Sequence, residues 1–148
     1  MKILLAIDGS SHSDAAVQEV ISRPWPGGSI VRIMSAVQPY TPPATEIVLA
    51  AATLESVTRQ QTEQATQLTN RAAESVRKAG LEVETAVRQG DPRSVIVDEA
   101  AEWGADLIVL GSHGRTGIKR WLLGSVAGSV VSHAACSVEI VRQPEHRH

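Results

Sequence analysis

Residues 2–10 read Lys-Ile-Leu-Leu-Ala-Ile-Asp-Gly-Ser, an apolar run that stops at Asp8-Gly9. A strand with one wet face alternates apolar and polar side chains, but no polar residue interrupts Ile3 to Ile7. Both faces of this strand are therefore covered, which is the signature of a parallel sheet with helices above and below. Ser10, Ser11 and Ser13 are candidate N-caps for a following helix whose apolar stripe is Ala16, Val17, Val20 and Ile21; Pro24-Trp25-Pro26-Gly27-Gly28 ends it.

The same order then recurs. Ile30 to Val37 reads as a second strand and ends at Gln38-Pro39, and Tyr40-Thr-Pro-Pro43 excludes regular structure. Leu54, Val57, Ala65, Leu68, Ala72, Val76 and Ala79 keep the spacing of a long helix, with Gln61 as the polar interruption and Gly80 as its terminator. Val83, Thr85 and Val87 alternate with polar residues in a third strand near the sheet edge. Gly90-Asp91-Pro92 supplies an N-cap and a first-turn proline for a helix ending at Trp103-Gly104. Leu107-Ile-Val-Leu110, a helix from Ser125 and the strand Val138 to Val141 complete the pattern.

Strands alternating with helices imply right-handed crossovers and an α/β, doubly wound parallel sheet of five strands with helices on both faces; a barrel would need about 250 residues. With strand order 3-2-1-4-5, ligands meet the chain beyond strands one and four, at Asp8-Gly9-Ser10 and from Gly111 onward.

Length and composition set the outer bounds. The 148 residues suit one domain, 1–148, and the apolar fraction of 43%, with no Phe and one Tyr, predicts an aliphatic core. A net charge of −2 argues against a general nucleic-acid binder. The single Cys136 excludes an internal disulfide, and neither an export signal nor a run of 18 apolar residues is visible. The expectation is a cytoplasmic protein with neither a membrane nor a nucleic-acid partner.

The stretch from Gly111 to Ser125, Gly-Ser-His-Gly-Arg-Thr-Gly-Ile-Lys-Arg-Trp-Leu-Leu-Gly-Ser, holds four glycines and three cations and no acid. It matches neither a Walker loop nor the G-x-G-x-x-G dinucleotide pattern. It places a glycine turn after a strand, then Arg115, Lys119 and Arg120, then Gly124-Ser125 at the head of a helix whose first amides point outward, an arrangement suited to anions.

Gly111-x2-Gly114-x9-Gly124-Ser125 resembles the nucleotide motif of the universal stress protein family. The opening Ile3-Leu-Leu-Ala-Ile-Asp-Gly-Ser10, Gly90-Asp-Pro92, Ala105 to Gly117 and Val141-Arg142 extend the resemblance over essentially the whole chain. The resemblance implies a five-stranded parallel sheet, a homodimer joined through the last strand, Val138 to Val141, and ATP or a related adenine nucleotide, with or without magnesium. Carried over by position, Asp8 meets the ribose or adenine and Ala36 lies beside the adenine. Gly111, His113 and Gly114 line the phosphate entrance, and Gly124, Ser125 and Val126 close over the phosphates. Arg115, Lys119 and Arg120 are either a phosphate field or a solvated surface.

The residues themselves narrow the chemistry. Asp8-Gly9 reads equally as a strand-ending turn or as a sugar contact. No acid that could orient His113 as a base flanks it in the sequence, which favours ligand contact over catalysis. His133 and Cys136 are two donors without a second pair, so no metal site is expected. Ser10, Ser11, Thr116 and Ser125 offer hydroxyls for a slow ATPase or self-phosphorylating protein, and cyclic AMP remains an alternative ligand. The expectation is a nucleotide-binding stress-response regulator or sensor rather than an efficient enzyme. Two departures from the family pattern stand near the end: Ala135 and Ser137 replace frequent prolines, and Glu139 interrupts the last strand. A carboxylate is costly inside a doubly covered strand, so that strand should lie at an edge with Glu139 facing solvent or a partner.

Overall fold

The computed structural model describes residues 1–39, 51–114 and 122–143. Along the chain run β1 (Lys2–Ala6), α1 (Ser11–Ser22), β2 (Ile30–Val37), α2 (Ala51–Lys78), β3 (Glu82–Gln89), α3 (Pro92–Trp103), β4 (Leu107–Gly111), α4 (Ser125–His133) and β5 (Ser137–Val141). The five strands form one sheet in the order β3-β2-β1-β4-β5, every pair parallel. This is the doubly wound architecture that the opening run predicts.

The apolar run of β1 is continuous because its side chains serve two cores by turns. Ile3, Leu5 and Ile7 join Val17, Val20 and Val76 beneath α1 and α2. Leu4 and Ala6 join Ile96, Ile108 and Val130 beneath α3 and α4. Ile3, Leu4 and Leu5 have no exposed surface, and each such burial contributes roughly 1.5–3 kcal/mol. Past the end of β1 the chain stays extended, and the Ile7 amide donates to the Met34 carbonyl at 2.9 Å.

Helix ends follow local chemistry. Of the three candidate serines only Ser10 caps α1, its hydroxyl accepting the Ser13 amide at 3.1 Å. Asp91 caps α3 by accepting the Arg93 amide at 3.0 Å, with Pro92 in the first turn and Gly104 in the left-handed region at its end. Among the described side chains of α2 the buried ones are Ala65, Thr69, Ala73 and Val76, whereas Ala79 lies beyond the helix and is exposed. Thr69 escapes a reading by residue type because its hydroxyl is satisfied by the Thr66 carbonyl at 3.0 Å, leaving its methyl free to pack.

β5 is an edge strand, as Glu139 requires. The Glu139 side chain keeps 29% of its surface exposed, and its carboxylate is ion-paired with Arg23, just after α1. Arg23 also bonds Glu19 at 2.7 Å and lies over the Trp25 ring at 4.8 Å. A second charged cluster has no counterpart in the sequence reading. Glu99 of α3 is 5% exposed and accepts from Arg32 on β2 at 2.9 Å and from Arg88 on β3 at 3.1 Å. Arg32 continues to Glu84 at 2.8 Å and stacks on Trp103 at 4.4 Å. Removing one partner of a buried pair leaves the others uncompensated, so Glu99→Ala should lower the unfolding free energy by about 3 kcal/mol in urea titration. A loss under about 1 kcal/mol would mark the cluster as a solvated surface network instead.

Candidate functional site

Pairing of β1 with both β2 and β4 sets Ala6 opposite Met34 on one side and Leu110 on the other, so three strand ends converge. Beyond them lies a cavity of about 110 Å³. Six of the expected residues line it: Asp8 after β1, Ala36 in β2, Gly111, His113 and Gly114 at and after β4, and Val126 in α4. Its floor is apolar, built by Ala6, Met34, Ile96, Leu110 and Ala127. Gly124 and Ser125 stand at the head of α4, immediately before Val126, outside the cavity wall. Arg115, Thr116, Lys119 and Arg120 lie outside the described residues.

Each motif glycine marks a close backbone approach. A Cβ on Gly111 would come within 2.7 Å of the His12 backbone, and one on Gly114 within 2.9 Å of the Asp8 carboxylate. A Cβ on Gly124 would press on the His113 Cα at 3.1 Å and the Ser112 carbonyl at 3.2 Å. The Gly124 amide donates to that same carbonyl at 2.8 Å, which ties the head of α4 to the chain leaving β4. The described ends of this stretch, Gly111 to Gly114 and Gly124, are thus held close to the first turns of α1 and α4. Such anchoring is what a glycine loop needs before its amides can hold an anion in a fixed geometry.

The first intrahelical bond of α4 runs from the Gly128 amide to the Gly124 carbonyl at 2.9 Å, and Gly124 brings no side-chain cap. The amides of Ser125, Val126 and Ala127 precede that bond, so the positive end of the helix dipole faces outward here. On the other side, Asp8 accepts the Ser10 amide at 2.9 Å. Negative charge at Asp8 and partial positive charge at α4 give the cavity two unlike ends.

His113 is held more firmly than its neighbours in sequence suggest. Its Nδ1 lies 3.0 Å from the hydroxyl of buried Ser112, which in turn lies 3.5 Å from Nδ1 of His12 in α1. The two rings are 5.3 Å apart, tilted by 51°. Among the described residues, Nε2 of His113 is buried without a hydrogen-bond partner. Ser112 and His12 are functional candidates the sequence reading passed over. The local signal was present in Ser112 beside His113, but His12 is distant in sequence and arrives only through the packing of α1.

Asp8, Ala36 and Pro92 also border a wider groove of about 580 Å³ that runs toward α2 and is lined by Gln38, Gln61, Gln64 and Arg71. The polar interruption of the α2 stripe at Gln61 is explained by this groove, since a core residue is not needed where the helix leaves the sheet. At the far end of α4, His133 Nδ1 sits 2.8 Å from the Ser129 carbonyl, and burial pushes the Cys136 thiol above the ordinary cysteine range. Among the described residues no three His, Cys, Asp or Glu side chains gather as a metal site, and no helix is long and apolar enough to cross a membrane.

Known proteins share this architecture from end to end. Residues 1–142 match the universal stress protein family. A Staphylococcus aureus (strain USA300) chain described as a universal stress protein is 32% identical over 145 residues, covering 97% of this chain and 84% of that one. The universal stress protein UspA of Lactobacillus plantarum superposes with a TM-score of 0.81 at 26% identity, covering 96% of this chain and 97% of its own. Three solved relatives are described as holding adenine nucleotides, an Arabidopsis thaliana family protein with AMP bound and two others. One is a universal stress protein of Archaeoglobus fulgidus in complex with dAMP, at a TM-score of 0.64 and 23% identity over 95% of this chain and 97% of that chain. The other is a universal stress protein in complex with cAMP, at 0.61 and 24% over 95% of each. Adenine-nucleotide binding thus occurs within the family, and this chain, matched over nearly its full length, belongs to the universal stress proteins.

Proposed function

We propose that the protein is a cytoplasmic stress-response regulator or sensor that binds ATP or a related adenine nucleotide between the ends of β1 and β4. The observation that carries this reading is the cavity with an apolar floor, a carboxylate at one end and a helix head at the other. The base enters between Ala36, Met34, Ile96 and Val126, where apolar walls suit a flat aromatic ring. Asp8 accepts ribose hydroxyls; beside a triphosphate its charge would be repulsive. Gly111, His113 and Gly114 guide the phosphates to Gly124 and Ser125, whose amides and hydroxyl donate to them. Arg115, Lys119 and Arg120 add positive field over the phosphates, and magnesium accompanies ATP as its counter-ion. These assignments draw support from the motif spacing and from the relatives that hold dAMP and cAMP.

Cyclic AMP is the second ligand, favoured by the family structure that contains it. Slow ATP hydrolysis or self-phosphorylation is the competing activity, but two of its candidate hydroxyls are engaged in the fold: Ser10 caps α1, and Ser11 donates to Gln143 at 2.8 Å. We also propose that two copies join along β5, Val138 to Val141, because this strand ends the sheet and no strand among the described residues pairs with its outer edge. Sedimentation should then show a species of twice the chain's mass, and a monomer at every concentration would remove the dimer from the account.

Calorimetric titration distinguishes the two ends of the site. Asp8→Ala should weaken adenosine and ATP alike by about tenfold or more, whereas Ser125→Ala should weaken ATP by about tenfold and leave adenosine unchanged. Equal losses of adenosine and ATP in Ser125→Ala would reverse the proposed orientation. A binding protein should also release phosphate far more slowly than the enzyme median of about 10 s⁻¹ at saturating ATP and magnesium. Rapid turnover that Asp8→Ala abolishes would make the protein an enzyme.

A further inference from the structure

We propose that Ser112 fixes His113 as a hydrogen-bond donor to the phosphate next to the ribose, so that the site selects phosphorylated adenosines over adenosine itself. The inference rests on the nucleotide reading above and adds to it a positioning residue, Ser112, and a basis for selectivity.

The argument follows one proton. Ser112 is 3% exposed, so its hydroxyl proton has to find an acceptor inside the protein. Two imidazole nitrogens are within reach, Nδ1 of His113 at 3.0 Å and Nδ1 of His12 at 3.5 Å. The shorter contact has the geometry of a sound hydrogen bond and the longer one does not. An uncharged imidazole that accepts at Nδ1 carries its own proton at Nε2. Nε2 is buried without a partner among the described residues, and His113 is one of the residues lining the cavity, so the free protein holds a desolvated donor beside the site. That donor is unsatisfied until a ligand brings an acceptor.

Position decides which acceptor. Gly114, the next residue, lies against the Asp8 carboxylate, and Gly124, at the head of α4, packs on the His113 Cα. The imidazole therefore belongs to the stretch between the sugar end of the cavity and the helix head, where the first phosphate of a nucleotide passes. A phosphate oxygen is charged and accepts more strongly than a neutral hydroxyl. AMP, cyclic AMP and ATP all carry this first phosphate, and adenosine does not.

Two measurements test the proposal. The long-range proton–nitrogen spectrum of histidine side chains reads the tautomer directly: in the free wild-type protein His113 should carry its proton on Nε2. Ser112→Ala should disturb that pattern, whereas Ser112→Thr, which keeps the hydroxyl, and His12→Ala should preserve it. In calorimetric titrations, His113→Ala and Ser112→Ala should each weaken AMP and ATP by a common factor of about ten to a hundred and leave adenosine within about twofold. His113→Gln, whose amide offers an N–H near the Nε2 position, should recover most of the loss. Thermal melts confirm that the variants compared are folded. A proton on Nδ1 in the free protein, or equal losses for adenosine, AMP and ATP, would overturn the proposal while leaving nucleotide binding intact. Failure of the wild-type protein to bind any of the three would overturn the nucleotide reading and the proposal with it.

Discussion

β1 lies between β2 and β4, and its few residues must satisfy two cores at once: Ile3 and Leu5 on the α1 and α2 side, Leu4 and Ala6 on the α3 and α4 side. A slip of one residue would exchange the two sets and place the small Ala6 where a larger side chain is required. This constraint sets the register of the neighbours, with Ala6 opposite both Met34 and Leu110. It also creates the site. The chain passes from β1 to β2 on one side and reaches β4 on the other, and such a reversal opens a crevice beyond the strand ends because the flanking helices diverge there.

Within that crevice the geometry is governed by backbone approach more than by side-chain chemistry. Gly111 yields to α1, Gly114 to Asp8, and Gly124 to the His113 and Ser112 backbone. Three glycines spread over fourteen positions thereby bring the chain leaving β4, the carboxylate and the head of α4 together. A nucleotide bound in this arrangement, as we propose, meets donors at the head of α4 that the fold already holds, which lowers the ordering cost of binding.

The fold was largely legible in the sequence because its strongest signals are local. The unbroken runs Ile3 to Ile7 and Leu107 to Leu110 imply burial on both faces, and prolines and glycines separate the elements. The family resemblance that the glycine motif carries pointed to Asp8, Ala36, His113 and Val126, and these four line one cavity. What escaped was nonlocal or concealed by residue type. Glu99 resembles an ordinary surface charge until β2 and β3 bring Arg32 and Arg88 to it. The edge position of Glu139 followed from the cost of burying charge, but its partner Arg23 is 116 residues away. His12 reaches Ser112 across 100 residues, and no spacing rule anticipates that contact.

The central claim is that the ends of β1 and β4 and the head of α4 form one adenine-nucleotide site. Mapping backbone amide chemical shifts while ATP is added tests it most directly. The account predicts saturable shifts concentrated at Asp8, Ala36, Gly111 to Gly114 and Gly124 to Ala127, with the α2 groove around Gln64 and Arg71 little affected. Shifts confined to that groove or to the β5 edge, or none at saturating ATP, would contradict it.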